Sequence, residues 1–307
     1  MSAVKVDALA AYAGTYQKQL IAQAVNGMDV AQDVTVLPGI KKATQFTKLT
    51  VGSILKPFNS THQPTANALQ YSGQILEVKV GKADLLIDTD DYRQIWLSEL
   101  MKAGVNPNDI PEEKFTWEQV MKAFGAELNN TTAYSGVYNA SGNSAIDVAN
   151  GFGTILAAAI TETKVTPVVT GAITLADAVE QIEAVYKSLP VVYRNMNTVA
   201  YMSFNSYDSY CENYAERFGT QPIYNQFGQL YLRHSAGKCL IKPVTWMGSS
   251  GRVIITPKEN MIMGTDLLGD ANKINTVPDV WTLKAGIAMA VGFQFRDLSA
   301  MRVNDIQ

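Results

Sequence analysis

Near the C-terminus, hydrophobic and polar positions alternate with a two-residue period over an unusually long stretch. Between 281 and 296 every odd position is apolar, and every even position is small or polar. Side chains of a β-strand point alternately to the two faces of a sheet, so the pattern predicts one long strand, or two strands joined by a bend at Gly286. We expect the apolar face to build core and the Gly/Ala-rich face to let a helix approach closely.

Two shorter alternating runs, at 45–51 and 75–80, predict a pair of strands. In the first run the residues at 47, 49 and 51 share one face, and those at 46, 48 and 50 share the other. The loop between the runs, 52–73, is polar and contains Pro57 and Pro64. Such a loop is unsuited to burial, so the sequence predicts a long hairpin that projects from the body.

Apolar residues at steps of three or four predict helices in the N-terminal half. One covers 5–26 and leads into an aperiodic stretch, 27–44, and together they are typical of an arm rather than of the start of a compact domain. Another follows the acidic run at Asp88 and ends near Gly104. A third covers 113–129 and opens with acidic residues that oppose the helix dipole favourably.

The second half of the chain mixes helices and strands. The sequence predicts a helix capped by Thr174 and ended before Pro190, and another that is capped by Asn205 or Ser206 and stopped by Gly219. Strands are expected at 196–203, 240–247 and 252–256, the last two joined as a hairpin by the turn 248–251. An Ala-rich segment, 145–161, has a helical pattern.

Composition narrows the function classes. Of the 307 residues 47% are hydrophobic and 17% are charged, and the formal net charge is −3. Soluble domains average roughly 25% charged residues, so the surface is poor in charge, which favours extensive burial between subunits. Global disorder and a strongly basic nucleic-acid binder are excluded. No stretch reaches about 18 apolar residues, so no membrane partner is expected.

Candidate chemistry is sparse. Phosphate-binding glycine loops and nucleophile elbows are missing, and a zinc site from Cys211, Cys239, His62 and His234 lacks the usual short spacings. We therefore expect no cofactor, no metal and no enzymatic activity. One acidic cluster and one tyrosine cluster each have a structural and a functional interpretation. For the acidic cluster, helix capping is favoured over a cation site or a pair of catalytic acids. For the tyrosine cluster, packing is favoured over the stacking of sugars or bases. The clusters are Asp84, Asp88, Asp90 and Asp91, and Tyr193, Tyr201, Tyr207, Tyr210, Tyr214, Tyr224 and Tyr231.

Several segments resemble a known family. The run Met202-Ser203-Phe204-Asn205 leads into a helix ended by Gly219, and it is followed by Gly237-Lys238-Cys239-Leu240-Ile241, by the stretch 252–266 and by the alternating strand 281–296. This order resembles the major capsid protein of tailed double-stranded DNA phages, the Hong Kong phage capsid fold, over nearly the whole chain.

The resemblance implies an α+β fold with an N-terminal arm (1–44), an extended hairpin loop (45–88), a peripheral domain (89–164) whose spine helix lies on a long-stranded sheet, an apical α/β domain (165–252), and strands returning to the peripheral domain (253–307). The hairpin would lie over a neighbouring subunit. Its contact candidates are Phe46, Lys48, Leu49, Val51, Lys56, Phe58, Leu76 and Val78.

The resemblance also implies a function. The chain would assemble with itself into hexamers and pentamers that enclose double-stranded DNA without sequence-specific binding, in the host bacterial cytoplasm, as the capsid of a virion. A separately encoded scaffold, a portal and decoration proteins would be its partners. Some family members form a Lys–Asn cross-link, for which Lys48 or Lys56 with Asn260, Asn272 or Asn275 are candidates. An encapsulin-like compartment and an unrelated carbohydrate-active enzyme or surface binder remain alternatives.

Overall fold

The computed structural model describes residues 2–52, 54–61, 65, 68–88, 112–266, 273–279 and 282–306. We number the helices and strands in chain order. The helices are α1 (Ser2–Asn26), α2 (Asp29–Asp33), α3 (Glu112–Glu127), α4 (Phe152–Thr161), α5 (Ala178–Lys187), α6 (Val191–Arg194) and α7 (Phe204–Phe218). The strands are β1 (Thr35–Pro38), β2 (Thr44–Val51), β3 (Leu69–Leu76), β4 (Lys79–Asp88), β5 (Thr198–Met202), β6 (Leu230–Tyr231), β7 (Cys239–Pro243), β8 (Ile254–Pro257), β9 (Met261–Thr265), β10 (Lys273–Pro278), β11 (Thr282–Phe295) and β12 (Arg302–Val303).

The long alternating segment forms the centre of the first sheet. Strand β11 is a single strand of 14 residues, which confirms the first of the two predicted forms, one long strand without a break at Gly286. It pairs antiparallel with β4, β10 and β9, and β1 adds in parallel to β9. The sheet therefore joins three distant parts of the chain, and β11 is the strand that holds them together.

The apolar face of β11 builds the main core, as predicted. Leu283, Ile287 and Met289 are buried, and they belong to the same hydrophobic core as Trp117 and Met121 of α3. Helix α1 shares this core, and the buried Trp117 donates a hydrogen bond from Nε1 to the backbone oxygen of Leu9 at 3.1 Å. The helices thus belong to the core on the apolar face of the sheet.

At Gly292 the small-residue face of β11 carries a chain crossing in place of the helix that was predicted there. Gly292 pairs with Gly264 of β9, and the chain at Glu77 and Val78 crosses directly over both. A Cβ at Gly292 would lie 2.1 Å from the backbone oxygen of Glu77. The absence of side chains is what lets the link between β3 and β4 cross against the sheet.

We predict that Gly292→Ala destabilises the protein by about 1–3 kcal/mol, because the new methyl group collides with backbone and forces the crossing segment away. Gly286→Ala is the matched control, since it lies on the same face of the same strand and its Cβ would find its nearest neighbour at 3.7 Å. Urea unfolding followed by circular dichroism measures both. Equal losses of free energy in the two variants would contradict the close crossing.

The second sheet has the strand order β12-β8-β5-β7-β6. Strand β5 lies between β7, its parallel neighbour, and β8, its antiparallel neighbour. The predicted hairpin around 248–251 is therefore wrong, because the two strands are separated by β5. Strands β8 and β12 come from the segment expected to return to the first sheet, so the expected boundary near 252 does not coincide with a boundary between sheets.

Helices α5 and α7 pack on the second sheet and are held together by Asn213. Its side chain accepts a hydrogen bond from the Val179 backbone amide at 3.1 Å and donates one to the backbone oxygen of Ala176 at 2.7 Å. The predicted helices exist, but their N-caps differ from those expected. The N-cap of α5 is Asp177, without a side-chain hydrogen bond, rather than Thr174. Ser203, rather than Asn205 or Ser206, caps α7, and Gly219 ends it in the left-handed conformation as predicted.

The N-terminal segment is part of the compact body. Leu9, Leu20 and Val25 of α1 are buried, and the stretch expected to be aperiodic contains α2 and β1. The interpretation of 1–44 as an arm therefore does not hold within this chain. The apolar stripe of α1 packs against α3 and the first sheet.

Candidate functional site

The predicted hairpin exists as a two-stranded ribbon outside both larger sheets. Strands β2 and β3 pair antiparallel from Thr44 opposite Leu76 to Val51 opposite Leu69. The second strand was predicted at 75–80, whereas β3 ends at Leu76 and a new strand, β4, enters the first sheet at Lys79. The segment between β2 and β3 is consequently 52–68, shorter than expected, and β4 is no part of the hairpin.

One face of the ribbon is apolar and open to solvent. The cross-strand register places the odd positions of both strands on this face, in agreement with the predicted alternation. Leu55 and Phe58 of the loop are 92% and 98% exposed. We call the exposed apolar side chains of the ribbon and its loop the hairpin surface. Its members are Leu49, Val51, Ile54, Leu55, Phe58, Leu69 and Ile75.

The other face of the ribbon contacts its own chain. Lys48 Nζ lies 2.5 Å from Asp297 Oδ2 and 2.5 Å from Ser299 Oγ, and Tyr193 donates a hydrogen bond to the same carboxylate at 3.1 Å. The Arg296 guanidinium lies 5.7 Å from the centre of the Phe46 ring. These contacts anchor the hairpin at the C-terminal end of β11.

The eight contact candidates from the sequence divide into three groups by exposure. Leu49, Val51, Lys56 and Phe58 are exposed, whereas Phe46, Lys48 and Val78 are half-buried. Leu76 was wrong as a contact candidate, because it is completely buried and packs over Gly264 in its own chain.

The sequence interpretation missed four members of the hairpin surface. Ile54 and Leu55 lie in the loop, and Leu69 and Ile75 lie on the face of β3 opposite Val51 and Gln45. Residues 69 and 75 are both apolar and an even number of positions apart, which places them on one face of a strand. This signal was available in the sequence, but residue 69 was assigned to the loop.

The anchor depends on two ionised groups. Burial raises the pKa of Asp297, but hydrogen bonds from Lys48 and Ser299 outweigh it and hold the pKa below its usual value. Burial lowers the pKa of Lys48, yet the hydrogen bond and charge of Asp297 raise it above its usual value. The stabilisation from Asp297 is therefore present above its unfolded-state pKa and is lost as the pH falls through the lower folded-state pKa. That from Lys48 is lost only as the pH rises through its own raised pKa.

We predict that Lys48→Met speeds hydrogen exchange of the β2 and β3 amides severalfold at pH 7, since a partly exposed pair contributes about 0.5–1 kcal/mol. The difference from the unsubstituted protein should shrink as the pH falls through the lowered folded-state pKa of Asp297, because protonation removes the charge of its carboxylate. Lys82→Met is the control, because Lys82 pairs with Asp84 on a largely exposed surface. An effect of Lys48→Met that does not change as the pH is lowered would rule out the charge pair as its cause.

Among the cross-link candidates, Asn260 is buried and fully engaged. Its amide donates to Thr256 Oγ1 and to the backbone oxygen of Asp297, and its oxygen accepts from the Asp297 amide. This arrangement suits a structural role for Asn260. Asn275 is exposed on β10, and Asn272 lies outside the described residues.

The remaining candidate chemistry is dispersed. Asp84 and Asp88 lie on β4, and Asp90 and Asp91 lie outside the described residues, as does the helix expected from Asp88 to Gly104. Tyr201 and Tyr210 are buried in the core, as the packing interpretation predicted. Cys239 begins β7 and is buried, and its burial raises the pKa of the thiol to about 12.

The described part of the chain has neither a cluster of metal-ligating side chains nor a membrane-spanning helix. No group of three or more His, Cys, Asp or Glu residues there is arranged to hold a metal ion. In the same ranges, the helices are all too short or too polar to cross a membrane.

Comparison with solved structures shows the fold. A chain of the satellite phage P4 procapsid, whose structure includes the size determination (Sid) protein, is similar with a TM-score of 0.58 at 12% identity, covering 94% of this chain and 98% of that one. The capsid of an empty GTA particle gives a TM-score of 0.56 at 15% identity, covering 91% and 89%. The capsid of Myoviridae phage XM1 gives 0.53 at 11% identity, covering 90% of both.

No protein-family model and no curated protein sequence matches this chain. The likeness therefore lies in the fold. The chain has the α+β fold of phage capsid proteins, as the resemblance predicted.

Proposed function

We propose that this protein is a structural major capsid protein, which assembles with itself into an icosahedral shell around the double-stranded DNA of a tailed phage. The hairpin surface is the observation that carries the proposal. A chain with a phage capsid fold carries seven exposed or half-exposed apolar side chains on one ribbon and its loop. Exposed apolar side chains gathered on one element mark surfaces that bind other proteins.

The hairpin has the physical properties of an element that needs a neighbour. An isolated two-stranded ribbon is marginally stable in water, and this one is supported on a single face. A second copy of the chain would cover the open face and supply the missing support. Because each subunit both offers a hairpin and receives one, weak contacts repeated around a closed shell reinforce one another.

The other parts of the proposal follow from a shell role. A net charge of −3 is suited to enclosing DNA without tight or sequence-specific binding. The subunit itself performs no catalysis in this role. A scaffold that directs assembly, a portal and decoration proteins are its proposed partners, with assembly in the host cytoplasm and the virion capsid as the final location.

Expression of the full chain, alone and with scaffold candidates, tests the proposal. Mass photometry should show hexamers or larger assemblies, and electron microscopy should show rings or closed shells. A chain that stays monomeric under all these conditions would refute it. Shells that hold a docked cargo protein in place of DNA would instead identify an encapsulin-like compartment.

A further inference from the structure

A cavity of about 450 Å³ opens between α5, the end of α7 and the segment that follows β6. Its wall is crowded with charged side chains, although only 17% of the chain is charged. Not counting His234, three cations and two carboxylates line it, so the wall carries a net positive charge. These groups are Lys187, Arg217 and Arg233, and Glu180 and Glu183.

The cations of the wall are only partly satisfied within the chain. The Glu183 carboxylate serves two of them, since it accepts a hydrogen bond from Lys187 Nζ at 3.0 Å and lies 3.7 Å from Arg233 Nε. Arg233 Nε donates a hydrogen bond to His234 Nε2 at 3.1 Å. The two terminal nitrogens of this guanidinium have no hydrogen-bond partner in the described part of the chain. They are therefore available to an acid from outside.

An aromatic ring holds the Arg233 guanidinium in place. Its Cζ atom lies 4.4 Å from the ring centre of Phe218, the last residue of α7, and its side chain is 39% exposed. The planar fork of a stacked guanidinium is pre-organised and matches the two oxygens of a carboxylate. The second guanidinium of the wall, Arg217, is already paired with Glu180. Arg233 is therefore the cation best placed to receive a carboxylate.

An acidic stripe runs along a different face of α7. Asp208, Glu212 and Glu216 are exposed and spaced four residues apart, which places them on one side of the helix. None of the three forms an ion pair within the described ranges. Arg217 and Phe218 line the cavity and follow Glu216 at about 100° and 200° of rotation around the helix. One chain thus presents an acidic and a basic surface in different directions.

Charge complementarity identifies what the cavity receives. The stripe supplies three carboxylates without a cation, and the cavity supplies cations in excess of its carboxylates. Because the two surfaces are distinct, each copy of the chain can offer its stripe to one neighbour and its cavity to another. Such a head-to-tail contact generates a ring when the rotation between copies closes.

We propose that the acidic stripe of one copy docks at the basic cavity of the next, with Glu212, the middle residue of the stripe, paired with Arg233. The inference rests on the proposed function, since it names a contact that joins subunits into hexamers and pentamers.

Association of the full-length chain, measured by mass photometry and sedimentation velocity, tests the contact. Glu212→Lys should weaken association about tenfold or more, because an attraction becomes a repulsion. The difference from the unsubstituted protein should shrink when sodium chloride is raised from about 0.05 M to about 0.5 M, since salt screens exposed charges. Glu259→Lys is the matched control, because it makes the same charge change at an exposed residue outside α7. It should leave association unchanged.

A charge swap tests the pairing itself. Arg233→Glu should weaken association as Glu212→Lys does, and the two substitutions in one chain should restore it, because the new lysine meets the new glutamate of the next copy. Arg233→Glu brings a second carboxylate close to Glu183, so urea unfolding must show that this variant folds. If it does not, Arg233→Gln and Glu212→Gln replace the swap, and their separate losses should not add in the double variant.

The outcomes separate this inference from the proposed function. If the unsubstituted chain assembles and Glu212→Lys weakens association no more than Glu259→Lys does, the inference is overturned while the proposed function stands. Losses in both single variants that simply add in the double variant overturn the pairing of Glu212 with Arg233. An unsubstituted chain that stays monomeric, alone and with scaffold candidates, overturns both.

Discussion

Asp33→Ala is expected to lower the free energy of unfolding by about 3 kcal/mol, a large effect for a single residue of a five-residue helix. The Asp33 carboxylate is buried, accepts a hydrogen bond from Trp246 Nε1 at 2.8 Å and forms an ion pair with Lys242. Alanine would leave the buried indole N–H without an acceptor, which costs about 1–3 kcal/mol, and would remove the charge pair as well.

The position of Asp33 explains why the loss should affect the whole fold. Its backbone oxygen accepts a hydrogen bond from the buried Tyr201 hydroxyl at 2.8 Å. Tyr201 belongs to β5 and Lys242 to β7 of the second sheet, whereas α2 leads directly into β1 of the first. The carboxylate therefore joins the two sheets through one short helix.

Asp29→Ala is the control on the same helix. Asp29 is exposed and accepts a hydrogen bond from Thr245 Oγ1 at 2.6 Å. We expect it to cost less than about 1 kcal/mol, because water replaces an exposed hydrogen bond. Urea unfolding curves give both values. If the two variants lose the same free energy, burial of the carboxylate is not the source of the stabilisation.

The sequence predicted elements whose pattern is local and missed those that depend on distant residues. Strand β11 was predictable because its two-residue period is complete in itself. Helix α2 was not, since it depends on partners far along the chain, such as Asn129, whose side chain accepts a hydrogen bond from the Val30 amide at 2.9 Å. The same holds for Asp33, whose partners lie beyond residue 200.

The hairpin shows the same division within one element. Its first strand followed from alternation, and the exposure of the described part of its loop followed from polar composition. The end of β3 at Leu76 did not, because alternation continues through Glu77 and Val78. The break there is set by the crossing over Gly264 and Gly292, which only the folded structure brings together.

Replacing residues 53–67 by Asn-Gly is expected to abolish shell formation while changing the free energy of unfolding of the monomer by less than about 1 kcal/mol. Gly52 donates a backbone hydrogen bond to Ala68 at 2.8 Å, so the two strands end at a spacing that a two-residue turn closes. The side chains of Ile54, Leu55 and Phe58 are exposed in this chain, so their removal exposes no core.

A subtler pair of variants separates apolar contact from loop length. Leu55→Ser with Phe58→Ser keeps the loop and removes its two most exposed apolar side chains. If each subunit contact loses about 2 kcal/mol, the dissociation constant of that contact rises about thirtyfold, and the concentration needed for assembly should rise steeply. Val169→Ser with Val191→Ser is the control, because both valines are more than three-quarters exposed but lie outside the hairpin.

Mass photometry and electron microscopy measure assembly, and urea unfolding measures the monomer. If the control pair blocks assembly as strongly as the hairpin pair, general surface hydrophobicity rather than the hairpin drives association. If the shortened hairpin still forms shells, the loop is not a principal contact, and the ribbon face at Leu49 and Val51 must carry the interaction. If the shortened monomer unfolds, the loop stabilises its own chain, contrary to the exposure of its side chains.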